Sequence, residues 1–187
     1  GVSEAGGLAG GEIDHEIDKY AEWGKCWTMD EAVAVEDLYT TAHQRVDADA
    51  GYAGDLMVEE AWSLLKQDPE AVLVDIRTQA EWSYVGVPDL GAIGRETVFA
   101  QWLLAPAMSE NPDFFAELSA QGVVPGRAAI LMCRTVNRSP KAARAMTAKG
   151  FPRCYFLRDG FEGSLDDDKH RGHRDGWKAA GLPWIQG

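Results

Sequence analysis

Positive charge is scarce in this chain. Its 187 residues hold 18 Lys and Arg against 30 Asp and Glu, a formal net charge of −12, and that balance argues against nucleic acid or an anionic membrane surface as the main partner, since both need clustered cations. Cysteine is scarce too. Cys26, Cys133 and Cys154 are odd in number and stand at no paired or metal-like spacing, which speaks against a disulfide framework or a zinc site and points to free thiols in a reducing, cytoplasmic compartment. Long apolar runs are missing. No stretch approaches the ~20 residues of a transmembrane helix, and no signal-type segment is visible, although a chain that begins with Gly rather than Met leaves room for a removed leader.

What is present suffices for one sizeable core: 45% of the residues are hydrophobic, and a chain of this length is expected to form one full domain. The charge is unevenly spread. Residues 1–50 carry 12 Asp and Glu against 3 Lys and Arg and read as an acidic, mostly helical N-terminal extension to a domain spanning 51–187. Two amphipathic patterns lie in it, Ile13, Ile17 and Tyr20 on one face and Val35, Leu38, Tyr39 and Ala42 on another. The second has a capping-box start in Thr28 and Glu31. DADAGYAGD (47–55) reads as the connecting loop.

Beyond it, strands and helices alternate. VEEAWSLLKQ (58–67) has helical periodicity, AVLVDI (71–76) is a short apolar run suited to a buried parallel strand, and VGVPDLGAIGR (85–95) is a loop broken by Gly and Pro. Asn111-Pro112 opens a helix carrying Phe114, Phe115 and Leu118. AAILMC (128–133) is a second strand, SPKAARAMTAKG (139–150) a helix, CYFL (154–157) a third strand, and GWKAAGLPW (176–184) a last short helix stopped by Gly181 and Pro183. The class is α/β, a central parallel sheet with helices on both faces. Ligands of such sheets bind at the carboxyl ends of the strands.

One of those ends holds Cys133, followed by RTVNRS. Ser139-Pro140 has the form of an N-cap followed by Pro at the first helical position, so the helix begins directly after the loop and its free N–H groups face the space around the thiol. That environment favours a thiolate or a small anion. Eight Lys and Arg and no Asp or Glu lie between Val123 and Arg158, a basic rim expected to attract a small dianion. The bland alternative is a buried cysteine ending a core strand.

These residues resemble the rhodanese-like sulfurtransferases over roughly residues 52–187, through VLVDIRTQAEW (72–82), ILMCRTVNRSPKAA (130–143), RDGFEG (158–163) and GWKAAGLPW. The resemblance implies a three-layer rhodanese-like domain in which Cys133 accepts sulfur as a persulfide. It further implies that Arg134 and Arg138 bind thiosulfate or another donor anion, and that Thr135, Val136, Asn137 and Ser139 supply backbone or hydroxyl contacts. Asp75 and Arg77 would support the site. No cofactor and no metal are implied. The partners would be a small sulfur-donor anion and a thiol or cyanide acceptor, a protein thiol included, with neither nucleic acid nor a membrane span involved. Val136 stands where many members have Gly, and a β-branched residue disfavours φ > 0, so a reshaped loop is expected. GVPDLGA (86–92) lacks the family's usual His. The C-x4-R spacing suits a single sulfur atom better than the C-x5-R loop of phosphatases and arsenate reductases of the same fold group. A non-catalytic module presenting the acidic extension to a protein partner is the second reading, and a phosphatase or arsenate reductase the third.

Cys154 reads as core. Cys26 reads as a surface or packing cysteine, with a resolving thiol as the alternative. HEID (15–18) has one His and is no zinc motif. DDDKHRGH (166–173) reads as a solvated loop near the active face, with His170 or His173 at the rim and cation binding as the alternative. The seven Trp read mostly as packing anchors, Trp184 closing the C-terminus onto the domain.

Overall fold

A computed structural model describes residues 35–187. The expectations for Ile13, Ile17, Tyr20, the Thr28–Glu31 cap, HEID and Cys26 lie outside the described residues.

In chain order the elements are α1 (Val35–Gln44), β1 (Gly54–Leu56), α2 (Val58–Gln67), β2 (Ala71–Asp75), α3 (Gln79–Val85), β3 (Val87–Pro88), β4 (Val98–Phe99), β5 (Leu103–Leu104), β6 (Ser109–Glu110), α4 (Phe114–Ala120), β7 (Ala128–Met132), α5 (Ser139–Ala148), β8 (Cys154–Leu157), α6 (Gly176–Ala179) and β9 (Trp184–Ile185). The main sheet is five-stranded, in the order β1-β8-β7-β2-β4, and every neighbouring pair in it is parallel.

The period of two along the strands sorts their side chains into two cores. Ala71 and Leu73 of β2 and Ala128, Ile130 and Met132 of β7 pack with Leu64 and Leu65 of α2 and with Trp177 of α6. Val72 and Val74, with Ala129 and Leu131, pack instead with Phe114 and Leu118 of α4 and Ala142 and Met146 of α5. This is the α/β sandwich of three layers that the alternation predicts. Both central strands are buried along their whole length, as continuous apolar runs require.

The helix with Val35, Leu38, Tyr39 and Ala42 on one face forms as α1. Leu38 and Ala42 are buried in the first core, with Val35 and Tyr39 against it, and Arg45 grips Glu60 of α2 through both carboxylate oxygens. The helix read as the end of the 1–50 extension is thus packed with the sheet.

Two stretches read as loops contain strands. The end of DADAGYAGD enters β1, whose three residues pair with β8. Within 85–95, Val87 and Pro88 pair antiparallel with Ile185 and Trp184. Strands of two or three residues give no periodicity to detect. Trp184 meets Phe161 edge-on at 6.3 Å between ring centroids, so the terminal segment does close onto the domain. α4 starts at Phe114, two residues beyond the Asn-Pro start, with the Asn111 side chain accepting the Asp113 N–H at 3.0 Å.

Candidate active site

β7 ends at Met132, and Cys133 is the first residue beyond the sheet, at its carboxyl edge. It is 1% exposed and its thiol, which forms no disulfide, lies 3.5 Å from the Thr135 carbonyl oxygen. The loop then runs into α5. Ser139 is the first residue of that helix, with Arg138 in the cap position and Pro140 second. This corrects the expected Ser139 N-cap. Its Oγ caps nothing and is buried without a hydrogen-bond partner among the described residues, because helical backbone already begins at Arg138, with φ −88° and ψ −41°.

The turn after β8 holds the loop from behind. The Phe161 N–H donates to the Cys133 carbonyl at 2.8 Å, and the N–H groups of Glu162 and Gly163 donate to the Arg134 carbonyl at 3.0 and 3.3 Å. Gly160 makes this approach feasible. It lies at φ +62°, and a Cβ there would collide with the Cys133 and Thr135 carbonyl oxygens, so both the backbone angle and the space require glycine. With those carbonyls drawn towards the turn, the N–H groups of Thr135, Val136, Asn137 and Arg138 have no acceptor among the described residues. Unengaged amides beside the N-terminus of a ten-residue helix form a region of positive potential. Val136 is 42% exposed and is not among the residues at positive φ, so its β-branch fits the loop as built. The expected reshaping therefore needs no left-handed residue at that position.

Asp75 and Arg77 lie beneath, both fully buried. The Arg77 Nε donates to Asp75 at 2.9 and 3.1 Å and one terminal nitrogen at 2.6 Å, while the same nitrogen reaches the Gly86 carbonyl at 2.8 Å. The guanidinium also stacks 4.0 Å from the centre of the Phe161 ring. One arginine thereby joins the end of β2, the end of α3 and the turn behind Cys133. A buried pair so enclosed is rigid, and loss of either partner leaves an uncompensated charge.

Arg138 is not free. Its two terminal nitrogens donate to the two oxygens of Glu81 at 2.8 and 2.6 Å, with side chains 14% and 18% exposed. Glu81 is the third residue of α3 and closes a capping box with Thr78. Burial pushes its carboxyl up, but the Arg138 hydrogen bonds together with those of Thr78 outweigh it and hold the group down at about 2. Burial pulls the Arg138 guanidinium down, whereas Glu81, and then its nearness to Cys133 and Asp75, bring it above its ordinary value. Sequence reasoning passed over Glu81. The capping box was visible in TQAE, but nothing in it names a partner 57 residues away.

The basic rim also differs from expectation. The segment that carries it crosses from one edge of the sheet to the other and back, so its charges divide. Arg127 and Arg153 lie at the amino edge, bonded to the Pro69 carbonyl and to Asp68, and Arg144 bonds the Ala50 carbonyl. Arg134 and Asn137 are exposed on the loop. A cavity of about 510 Å³, lined by Ala71, Val72, Arg95, Thr97 and Val98 among others, opens at the amino ends of β2 and β4, across the sheet from Cys133. In the 166–173 loop, His173 meets Asp166 at 2.9 Å, and among the described residues no group of three His, Cys, Asp or Glu side chains is arranged to hold a metal ion. No helix among them is long and apolar enough to cross a membrane. Cys154 is core, its thiol pushed up to about 12 by burial.

The family model described as the STR4 middle domain matches residues 54–187. The uncharacterized protein RC0915 of Rickettsia conorii is 32% identical over 125 residues, 67% of this chain and 91% of its own length. Rhodanese-like domain-containing protein 4, chloroplastic, of Arabidopsis thaliana is 26% identical over 129 residues, 68% of this chain but 25% of that protein. The crystal structure of Rv0390 from M. tuberculosis superposes with a TM-score of 0.64 at 46% identity, covering 73% of this chain and 99% of that one.

Proposed function

The chain belongs to the STR4 middle-domain family, and from that premise we propose that it transfers sulfane sulfur through a persulfide on Cys133. The observation that carries this reading is the row of unengaged amides from Thr135 to Arg138 beside a strand-end thiol. Donors so placed suit a sulfur anion that must be held but not enclosed, and they need no reorganisation when charge develops.

In the proposed reaction the Cys133 thiolate attacks the outer sulfur of thiosulfate or of a persulfide donor. The donor's S–S bond breaks, its electron pair leaves with sulfite or with the donor thiolate, and a new S–S bond forms on Cys133. A thiol or cyanide then takes the outer sulfur and returns the Cys133 thiolate, a ping-pong sequence. Thr135, Val136 and Asn137 serve through their amides and Ser139 through its buried hydroxyl. Arg134 draws in the donor, while Asp75 and Arg77 hold the loop's foundation. The chemistry calls for a reducing, cytoplasmic setting, where a free thiol persists.

Steady-state formation of thiocyanate from cyanide tests the reading. Parallel double-reciprocal lines for donor and acceptor, and loss of turnover in Cys133→Ser with its folding transition retained, are the expected results. Turnover that survives the substitution would remove Cys133 from the chemistry.

A further inference from the structure

Every charged group around the Cys133 loop bears on which donor the loop accepts. Transfer from thiosulfate brings a thiolate and a dianion together, three negative charges in one small space, and releases sulfite as a dianion beside an anionic persulfide. Transfer from a protonated alkyl persulfide brings one negative charge, and the thiolate that leaves carries one away. The two reactions need different amounts of fixed positive charge.

The site holds less of it than its sequence advertises. The charge of Arg77 is neutralised by Asp75 through three contacts between 2.6 and 3.1 Å, although its other terminal nitrogen is buried without a hydrogen-bond partner among the described residues. Arg138 is consumed by Glu81 through both of its terminal nitrogens. Glu81 is itself fixed, since one of its oxygens also accepts the Thr78 N–H and the Thr78 hydroxyl at 3.0 and 2.8 Å. With both side chains mostly shielded from water, an incoming anion can take the terminal nitrogens of Arg138 only by displacing a carboxylate that would then face it. Arg134 is left as a loop arginine with no ion pair among the described residues.

We propose that Glu81 determines donor specificity, neutralising Arg138 so that the Cys133 loop favours sulfane donors of low charge, the alkyl persulfides, over the thiosulfate dianion. This rests on the sulfur-transfer reading above. Glu81 does not touch the donor; it sets the charge that the donor meets. Removing its charge while keeping its shape frees the guanidinium, and like-charge juxtaposition in a confined site is costly enough to be read as a change in selectivity.

The test uses the full chain and its Glu81→Gln variant, with thiosulfate and 2-hydroxyethyl persulfide, which is uncharged when protonated, as donors and cyanide as acceptor. The ratio of kcat/KM for thiosulfate to that for the persulfide should rise roughly tenfold or more in the variant, mainly through a lower KM for thiosulfate. A ratio that stays put, or both donors declining together, overturns the proposal and marks Glu81 as structural. A second measurement compares the rates at which iodoacetate and iodoacetamide alkylate Cys133, located by peptide mapping, in the unaltered protein and in a double variant, Glu81→Gln with Arg138→Gln. The loop amides and Arg134 are common to both proteins, so a neutralised Arg138 predicts that the ratio of the two rates is unchanged when the ion pair is replaced by two amides, and a ratio that falls several-fold contradicts it. Absence of sulfur loading from either donor would remove the transfer reading, whereas loading from both with an unshifted ratio would remove only this inference.

Discussion

Cys133 and Cys154 are near twins by burial, 1% and 0% exposed, one just past the end of β7 and the other at the start of its paired neighbour β8, yet they occupy opposite chemical environments. Cys154 is the first residue of β8, at the amino edge, where its backbone carbonyl accepts the Ala53 N–H at 2.8 Å and its thiol sits among apolar side chains. Cys133 follows the last residue of β7, at the edge where the strand gives way to a loop and the start of α5. A parallel sheet turns this one-sided placement into chemistry. Loops and helix N-termini gather at the carboxyl edge, so the same residue type is inert at one end of a strand and surrounded by free donors at the other.

The comparison is broken most severely at the thiols. Cys133→Ser should abolish sulfur transfer, by roughly a thousandfold or more, as measured by thiocyanate formation; Cys154→Ser should leave the rate per folded molecule within about twofold. Next comes the turn that sets the two environments apart. Gly160→Ala places a Cβ against the Cys133 and Thr135 carbonyls at φ +62°, and should cost about 2–4 kcal/mol in denaturant unfolding, with sulfur loading reduced beyond the loss of folded protein. A wild-type unfolding curve for that variant would mean the turn does not hold the loop.

The Glu81–Arg138 pair sharpens the contrast through pH. The folded Glu81 carboxyl is held at about 2, below its unfolded value of about 4.3. Its contribution is therefore fully present above the unfolded value and lost as pH falls towards the folded one. Unfolding free energies measured at pH 6 and near pH 2 should show a stability gap between wild type and Glu81→Gln that narrows by about 2–3 kcal/mol on acidification. A gap independent of pH in that window would show that the pair is not ionic in the folded protein. The smallest effect is expected at Cys154→Ala, about 1 kcal/mol from a small core vacancy, with the sulfur loaded on Cys133 unchanged in mass.

Much of the fold was legible because its central strands are continuous apolar runs and its helices carry regular faces. AVLVDI, AAILM and CYFL need no partner to announce themselves. β1 and β4 stayed hidden, since GDL and VF are too short to show a period and exist through pairing with β8 and β2. Within the site, the strand-end position of Cys133 was readable from the apolar run before it, whereas Asp75 and Arg77 entered through the family resemblance, and the structure bonds the two side chains to each other. The state of Arg138 was not readable. Its partner arrives from α3, 57 residues earlier in the chain, and no local pattern distinguishes an arginine free to bind anions from one already bound. The Ser139 cap failed for a related reason: a Ser-Pro start fits the residue before the helix or its first turn, and the backbone of Arg138 decided between them.

The central claim is that Cys133, and not its neighbour in the sheet, carries the sulfur. Its most direct test is the intact mass of the reduced protein after exposure to thiosulfate or glutathione persulfide and desalting, followed by non-reducing peptide mapping and a second mass after cyanide. The account predicts one added sulfur atom, on the peptide containing Cys133, that cyanide removes. Sulfur on the Cys154 peptide, or no gain in folded protein that loads from neither donor, would contradict it.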